Sequence, residues 1–233
     1  EPYPGAWIEV DSVHSSMSLR AEVRGAHGQA LDDYSAFIAW IARTGVLPRA
    51  TESPFRAPSV STLVVNPRKE FSSTEREEIE SYVRSGGEIL LLDDERFSAV
   101  SSAPGLLSVF GLSVQEMDMN DGIFDAQARQ LSPSLVALPF GLIGHGPLGK
   151  GTLRALGSAR QTIAGGVPLL VDGAGAVVAA EQELGFGKLV FFLRSSLFSE
   201  FLMGDVWGGK EVAPNRLAQY QLIYDLLGRV AAK

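Results

Sequence analysis

The segment from Ser61 to Asp94 constrains the fold more than any other part of the sequence. It starts with Thr62–Val65, a short run of apolar and β-branched residues of the kind found in buried parallel strands. The run stops at Asn66 and Pro67, because proline lacks a backbone donor and restricts the residue before it. This pattern predicts a buried strand that ends next to the proline.

A helix and a second strand are predicted directly after this strand. Ser72 and Glu75 have the spacing of a capping box, in which two residues satisfy each other's backbone donors, so they mark a helix start. Gly86 and Gly87 mark the helix end. The run Ile89–Leu92 then predicts another buried strand. A strand, a helix and a strand in succession predict an α/β fold, whose sites usually lie at the carboxyl ends of the strands.

The rest of the chain predicts further strands and helices around this unit. The predicted strands cover residues 7–10, 112–114, 162–163, 167–171, 176–180 and 188–193, and those between 162 and 180 are expected to form a meander at one side of the sheet. The predicted helices cover residues 31–41, residues 106–110 and a final segment capped by Asn215. Residues 46–60, which contain three prolines, are predicted to be a connection, and residues 117–130 and 141–151 to be loops.

The length and composition favour a single domain with a large core. The 233 residues are 45% hydrophobic, with a mean hydropathy of +0.11, which is enough to fill a core on both faces of a sheet. We predict one domain over residues 1–233, with residues 1–6 as an extended lead-in. The net charge of -7 and the isoelectric point near 5.0 disfavour nucleic-acid binding, which needs basic residues to neutralise phosphates.

The lack of cysteine excludes several kinds of chemistry. With no cysteine in the sequence, the chain has no thiol nucleophile, disulfide, thiolate zinc site or iron–sulfur cluster. No apolar run approaches the roughly 20 residues needed to span a bilayer, so no transmembrane segment is predicted. The chain begins at Glu1 rather than methionine, which leads us to expect that processing or trimming removed a preceding segment, such as a secretion signal or a membrane anchor. We expect an extracytoplasmic, periplasmic location in preference to a cytoplasmic one.

Five segments occur in an order that resembles a known family. They are Asp11-Ser12-Val13-His14, Leu63-Val64-Val65-Asn66-Pro67, Gly86-Gly87-Glu88-Ile89-Leu90-Leu91-Leu92, His145-Gly146-Pro147-Leu148-Gly149-Lys150-Gly151, and Gly185-Phe186-Gly187-Lys188-Leu189-Val190-Phe191-Phe192 followed by Ser195-Ser196-Leu197-Phe198. Together they resemble the class I glutamine amidotransferase-like domains of the GldG and ThuA-like type. That family includes auxiliary subunits of gliding-motility ABC transporters, an intraflagellar-transport subunit and domains of unknown function.

The resemblance implies a fold but no active site. It implies a flavodoxin-like three-layer sandwich, with a mostly parallel sheet and helices on both faces, often attached to a membrane system. In true amidotransferases the central strand delivers a nucleophilic cysteine, whereas here the corresponding strand is followed by Asp93 and Asp94. Thiol-based glutamine hydrolysis is therefore excluded.

Polar residues that follow the predicted strands form the candidate ligand-binding site, because the loops after parallel strands gather along one edge of a sheet. The candidates are Asp11, His14, Asn66, Asp93, Asp94, Glu95, His145, Ser195, Ser196 and Trp207. The imidazole and carboxylate groups among them would suit zinc, manganese or iron. Acidic residues at strand ends more often cap helices or pair with an arginine such as Arg96, so we predict no metal site.

Two further kinds of site are disfavoured. Ser195 or Ser196 with His14 or His145 is the only pairing that could provide a serine nucleophile and its base, and no Gly-x-Ser-x-Gly elbow is present. Structural serines in a turn are the favoured interpretation. The glycines of residues 141–151 are not followed by the Lys-Ser/Thr ending of a phosphate-binding loop, so this segment is interpreted as a turn-rich loop.

An apolar and aromatic cluster precedes Gly208 and Gly209. Its members are Phe198, Phe201, Leu202, Met203 and Trp207. Such a cluster is typical either of a surface that binds a partner or a sugar, or of a segment that packs on the core. Near a strand edge, Asp205 and Trp207 would contribute to a groove for a carbohydrate or a peptide.

We therefore expect a non-catalytic, amidotransferase-like binding or scaffold domain, without a catalytic residue or a cofactor. Its expected partner is a protein in a membrane-associated transport or envelope complex, or a carbohydrate or other small ligand. The alternative is a metal-dependent or carboxylate-based hydrolase that acts on a small or saccharide substrate. That hydrolase would use Asp93, Asp94, His14 and His145.

Overall fold

A nine-stranded sheet lies at the centre of the computed structural model of this protein. The structure describes residues 6–17, 34–94, 100–117, 135–138, 142–145, 161–172, 176–199, 203 and 214–230. In chain order its elements are β1 (Ala6–Asp11), α1 (Ser35–Arg43), β2 (Val46–Thr51), β3 (Ser61–Val65), α2 (Ser73–Arg84), β4 (Glu88–Leu92), α3 (Ala103–Leu107), a 3-10 helix (Ser108–Phe110), β5 (Ser113–Glu116), β6 (Leu135–Leu138), β7 (Leu142–His145), β8 (Gln161–Ala164), β9 (Val167–Asp172), β10 (Val177–Leu184), β11 (Gly187–Phe192), a second 3-10 helix (Ser195–Phe198) and α4 (Pro214–Val230).

The sheet is mixed, and its parallel half contains the predicted core unit. The strand order is β2-β1-β3-β4-β11-β10-β9-β7-β6. The first five of these strands pair in parallel, with Leu63 opposite Leu90 and Leu90 opposite Val190. The remaining strands pair antiparallel from β11 outwards. The predicted α/β fold with a mostly parallel sheet is confirmed at this coarse level.

Hydrophobic side chains cover both faces of the central strands. Because side chains alternate along a strand, Leu63 and Leu90 belong to one buried cluster, which also contains residues of α1 and α4. Val64 and Leu91 belong to a second cluster, which contains residues of α2 and α3. All five residues of β3 and all five of β4 are buried. This explains why these strands are continuous apolar runs rather than alternating ones.

The predicted capping box at the start of α2 is confirmed. The Ser72 hydroxyl accepts the backbone N–H of Glu75 at 3.2 Å, and the Glu75 carboxylate accepts the backbone N–H of Ser72 at 2.7 Å. Gly86 has a φ of 105°, which an L residue rarely adopts, and follows the helix end. The sequence therefore sets both ends of this helix locally.

Two strands lie where the sequence predicted irregular segments. Residues 46–51 form β2 rather than part of a connection, and β2 lies at the edge of the sheet, where Pro48 is tolerated because an edge strand leaves one side unpaired. Residues 142–145 form β7 rather than part of a turn-rich loop, because they pair with both β6 and β9. Glycine content gave no signal of this long-range pairing.

Two other predictions also need correction. β8 pairs with β5 in a separate two-stranded sheet, so the meander consists of β9, β10 and β11 and does not include β8. α4 begins at Pro214, so Asn215 lies inside this helix and is not its cap. Proline is well suited to the first position of a helix, because its φ is already helical and its missing N–H needs no partner there.

Some predictions fall on residues that are not described. These include the lead-in before residue 6, most of the loop predicted at 117–130, and residues 31–33 of the first predicted helix. In the part of the chain that is described, no helix combines the length and the apolar character needed to cross a membrane.

Candidate functional site

Four parallel strands end side by side and bring several predicted site residues to one edge of the sheet. We call this edge of the sheet the carboxyl edge. At the carboxyl edge, β1 ends at Asp11, Asn66 follows β3, Asp93 and Asp94 follow β4, and Ser195 begins the 3-10 helix after β11. All five of these side chains are buried. From β1 the sheet continues to β2 on one side and to β3 and β4 on the other, so the direction in which strands are added reverses between β1 and β3. Such a reversal is the usual position of a site in open α/β sheets.

Asp11 and His14 form a buried acid–imidazole pair in the loop after β1. One Asp11 carboxylate oxygen lies 2.7 Å from Nδ1 of His14. The other accepts the backbone N–H groups of Val13 and His14 at 2.9 and 3.1 Å. Because a carboxylate only accepts, this geometry places a hydrogen on Nδ1 of the histidine. Asp11 thus fixes the backbone of the loop through two N–H groups and fixes the orientation of the His14 ring through Nδ1.

The His14 ring connects this loop to the start of α2. It stacks on Phe71, with 4.0 Å between the ring centroids and 18° between the planes. Its Nε2 atom is buried, makes no hydrogen bond, and lies 3.4 Å from a carboxylate oxygen of Glu75. Hydrogen bonds from Ser72 lower the pKa of Glu75, and the nearby His14 lowers it further. The second imidazole nitrogen therefore faces a partly buried carboxylate.

A second polar cluster forms a closed ring of hydrogen bonds on Ser195. The Asn66 amide donates to the Tyr34 hydroxyl at 2.6 Å, and the Ser195 hydroxyl donates to the Asn66 amide oxygen at 2.7 Å. The Tyr34 and Ser195 oxygens are 3.0 Å apart. Because the serine proton goes to Asn66, the tyrosine donates to the serine. Each group in this ring donates once and accepts once, an arrangement in which hydrogen bonds strengthen one another.

Backbone geometry places Asn66 in this ring. Its φ of 44° lies in the left-handed region, which asparagine tolerates better than most residues, and its backbone N–H donates to the Leu92 carbonyl at 2.7 Å. Tyr34 was predicted only as part of an apolar helix face. Its buried hydroxyl was the available signal, since a buried tyrosine oxygen usually has a hydrogen-bond partner.

The two aspartates after β4 have different surroundings. Asp93 is only 2% exposed, accepts a hydrogen bond from the Ser101 hydroxyl at 2.7 Å, and has a second oxygen without any hydrogen-bond partner. Burial raises its pKa to about 6, and the charge of Asp94 adds to this effect. Asp94 instead accepts the backbone N–H of Ser196 at 3.0 Å. Ser101 was not predicted as a site residue, and it lies in a segment without a periodic pattern.

The described residues contain neither a serine nucleophile beside its base nor a cluster of metal ligands. Among the described residues, Tyr34 and Asn66 contact the Ser195 hydroxyl and no histidine does, so none of them acts as its base. Within the described ranges, no group of three or more histidine, aspartate or glutamate side chains is positioned to hold a metal ion. The closed polar network accounts for the burial of these side chains by satisfying most of their hydrogen bonds.

His145 does not join the residues of the carboxyl edge. It ends β7, which is separated from β4 by β11, β10 and β9 and is antiparallel to β4. Four strand spacings of about 4.8 Å put roughly 19 Å between β4 and β7. The carboxyl end of β7 therefore lies at the opposite edge of the sheet. The other two candidates, Glu95 and Trp207, lie outside the described residues.

Phe198 packs on the core, which is one of the two interpretations of the aromatic cluster. Its ring stacks on Phe37 and Phe192 at centroid distances of 5.1 and 5.2 Å. Met203 is also buried. The remaining members of the cluster, Phe201, Leu202 and Trp207, are not described.

Comparison with known proteins identifies similar folds but no family. No protein-family profile matches the sequence, and no curated protein matches it. The fold resembles that of the exo-β-1,4-mannosidase Op5Man5 from Opitutaceae bacterium strain TAV5, with a TM-score of 0.53 and 16% identity, over 97% of this chain and 36% of the mannosidase chain. It also resembles the mmIFT52 N-terminal domain, with a TM-score of 0.52 and 16% identity, over 94% of this chain and 95% of that one. The chain thus spans about a third of the mannosidase, and at this identity both likenesses concern the fold alone.

Proposed function

We propose that this protein is a non-catalytic binding or scaffold domain of the class I glutamine amidotransferase-like type, with GldG and ThuA-like domains as its relatives. The observation that carries the proposal is the closed hydrogen-bond ring of Tyr34, Asn66 and Ser195. In a serine hydrolase, the hydroxyl that acts as the nucleophile would be left available to the substrate. Here the hydroxyl of Ser195, the candidate nucleophile, donates its proton to an amide oxygen, and none of the described residues beside it is a base.

The strand order supports the assignment to a flavodoxin-like sandwich. The five parallel strands lie in the order second, first, third, fourth, last, which corresponds to the flavodoxin-like order 2-1-3-4-5. Helices α1 and α4 pack on one face, and α2 and α3 on the other. The likeness to the mmIFT52 N-terminal domain, which covers nearly all of both chains, agrees with a family that includes an intraflagellar-transport subunit. The lack of cysteine leaves such a domain without its usual catalytic group.

The proposed partner is a protein in a membrane-associated transport or envelope assembly, and the proposed location is extracytoplasmic. A carbohydrate is the favoured small ligand, since a similar fold makes up 36% of a mannosidase chain. Osmotic-shock fractionation of cells that produce the full-length protein tests the location. Release with the periplasmic fraction is expected, and recovery only with cytoplasmic markers would contradict it.

An activity panel tests the absence of catalysis. Nitrophenyl esters, nitrophenyl glycosides that include a β-mannoside, and L-glutamine are incubated with the wild-type protein and with Ser195→Ala. We expect no turnover above the buffer rate for either protein. Turnover by the wild type that disappears in Ser195→Ala or Asp93→Asn would refute the proposal, because it would show that the carboxyl edge is an active site.

A carboxylate-based hydrolase is the second candidate, and Asp93 is the observation that favours it. Its raised pKa of about 6 and its unpartnered buried oxygen are features of catalytic acids. In that case activity would depend on a group with an apparent pKa near 6 and would be lost in Asp93→Asn. For the metal-dependent form, elemental analysis of protein purified without chelator would find stoichiometric metal that is lost in His14→Ala.

A further inference from the structure

The turn between β10 and β11 presents an aromatic side chain to solvent. Phe186, at the tip of this turn, is 90% exposed, more than any other large hydrophobic residue that the structure describes. Its backbone N–H donates to the carbonyl of Arg84 at 3.2 Å, at the end of α2. A single exposed apolar residue is common on protein surfaces. The surroundings of Phe186 distinguish it from such residues.

Two glycines hold this turn directly against the end of α2. Gly185 has a φ of 65°, and a Cβ there would lie 2.7 Å from the Cα of Arg84. A Cβ on Gly187 would overlap the carbonyl oxygens of Gly87 and Val83. The backbone of the turn is therefore packed against the helix end, with no room for side chains between them. Phe186 is presented from a fixed backbone, which reduces the entropy that a binding partner would have to overcome.

A shallow, open groove of about 580 Å³ lies between one face of α2 and Phe186. It is lined by Phe186 and five positions of one helix face, namely Glu77, Glu80, Ser81, Arg84 and Ser85. Positions with this spacing form a continuous stripe on a helix, and at 1.5 Å per residue the stripe is about 12 Å long. An exposed aromatic residue at the end of a polar helical stripe has the form of an anchor beside a polar rim.

The charges that line the groove favour a basic occupant. The lining contains two glutamates and one arginine. Arg84 pairs with Glu80 at 2.8 Å, so the two charges cancel, and the exposed Glu77 gives the groove a net negative charge. The whole chain also has a net charge of -7, which would favour the approach of a positively charged segment.

We propose that this groove, the α2–Phe186 groove, docks a basic peptide segment of a protein partner. An apolar or aromatic side chain of the segment packs on Phe186, and a lysine or arginine lies opposite Glu77. This inference rests on the proposed scaffold function and names the surface through which that function operates. The groove lies beside the end of α2 and the start of β11, so it is at the opposite end of the parallel strands from the carboxyl edge.

Peptide selection with a counter-selection step tests the proposal. A phage library of random peptides of about 12 residues, long enough to cover the groove, is selected on the wild-type protein after depletion on Phe186→Ser. We expect enriched peptides that carry both a basic residue and an aromatic or large apolar residue. Synthetic copies should bind the wild type, and Phe186→Ser should weaken them by at least about tenfold, because aromatic anchors dominate such interfaces. Glu77→Lys should weaken them as well, and more strongly at low salt.

Val100→Ser provides the matched control, since Val100 is also exposed, at 59%, but does not line the groove. It should leave peptide binding unchanged. Phe186→Ser should keep the wild-type melting temperature, because its side chain lies almost wholly in solvent. Enrichment of acidic peptides, or equal binding to the wild type and Phe186→Ser, would overturn the proposal. So would a wild-type dimer in sedimentation velocity that dissociates in Phe186→Ser, because the occupant would then be a second copy of this chain.

The activity panel separates failure of this inference from failure of the proposed function. If the selected peptides bind wild type and Phe186→Ser equally and the panel shows no turnover, the scaffold function stands and the groove is wrong. If the panel shows turnover that needs Ser195 or Asp93, the proposed function is wrong whatever the peptides do.

Discussion

Replacement of Asp93 by asparagine should remove a pH-dependent destabilisation from this protein. Asp93 is 2% exposed, and burial raises its pKa from 3.8 to about 6. A carboxyl whose pKa is higher in the folded than in the unfolded state holds its proton more tightly when folded. Stability then falls as the pH rises through the interval between the two values. Asparagine has a similar shape and does not ionise.

The expected size of the effect follows from the two pKa values. Below about pH 4 the carboxyl is protonated in both states and contributes no pH dependence. Above about pH 6 it is ionised in both, and the folded state carries the full cost of the buried charge. A difference of about two pKa units, each worth about 1.4 kcal/mol, gives about 3 kcal/mol. The free energy of unfolding of Asp93→Asn minus that of the wild type should therefore rise by about 3 kcal/mol as the pH increases from about 4 to about 6.

The change with pH is a safer measure than the stability at one pH. The amide can still accept the hydrogen bond of Ser101, but its NH₂ group would occupy the position of the unpartnered oxygen, at a cost of about 1–3 kcal/mol. That cost is the same at every pH. Burial also raises the pKa of Asp225, but this residue is present in both proteins, so its contribution cancels in the comparison.

Urea unfolding followed by tryptophan fluorescence at several pH values would measure the effect, with equal m-values as the check that the two unfolding reactions are comparable. Ser101→Ala is the matched control. It removes a hydrogen bond that lowers the pKa of Asp93, so the fall in stability should extend to higher pH. Parallel stability curves for the wild type and Asp93→Asn would refute the reasoning, because they would mean that Asp93 titrates alike in the folded and unfolded states.

Three further substitutions test the packing. Tyr34→Phe should cost about 1–3 kcal/mol in urea unfolding, because it leaves the buried amide of Asn66 without its acceptor; an unchanged midpoint would contradict the hydrogen-bond ring. Gly187→Ala should lower the melting temperature, because its Cβ would overlap two backbone carbonyl oxygens, whereas Gly105→Ala should not, because no atom lies within 4 Å of the position that its Cβ would take. Ser72→Ala should cost about 1 kcal/mol through loss of the α2 cap, measurable by thermal unfolding.

The part of the fold that was predictable from sequence is the part set by local rules. The unit from β3 to β4 has a proline stop, a capping box and a glycine end, and each acts within a few residues. The edge strand β2 and strand β7 exist because of partners that are distant in the sequence. Pro48 and the glycines around β7 then gave a misleading local signal, since pairing overrides composition in such segments.

The candidate site divides in a similar way. Asp11, Asn66 and Asp93 were predictable because a parallel sheet gathers its strand ends at one edge. His145 was not excluded by the sequence, because the direction of β7 depends on the three antiparallel pairs that connect β11 through β10 and β9 to β7. Tyr34 was missed because helical periodicity records only that a residue is buried. It does not record which polar atom the buried side chain must satisfy.

The ionised form of Asp93 gives a combined test of stability and function. If the second candidate function is right, a buried carboxyl that costs about 3 kcal/mol near neutral pH is the kind of strain that proteins keep at functional sites. Asp93→Asn would then be more stable at neutral pH relative to acid and also inactive. If the protein is a scaffold, the same variant gains this relative stability and still binds its partner through the α2–Phe186 groove. The unfolding curves, the activity panel and peptide binding are therefore all measured on Asp93→Asn. Loss of activity together with the gain in relative stability would show that the buried charge of Asp93 is needed for catalysis. The same gain with unchanged peptide binding and no activity in the wild type would show that Asp93 is only part of the buried network.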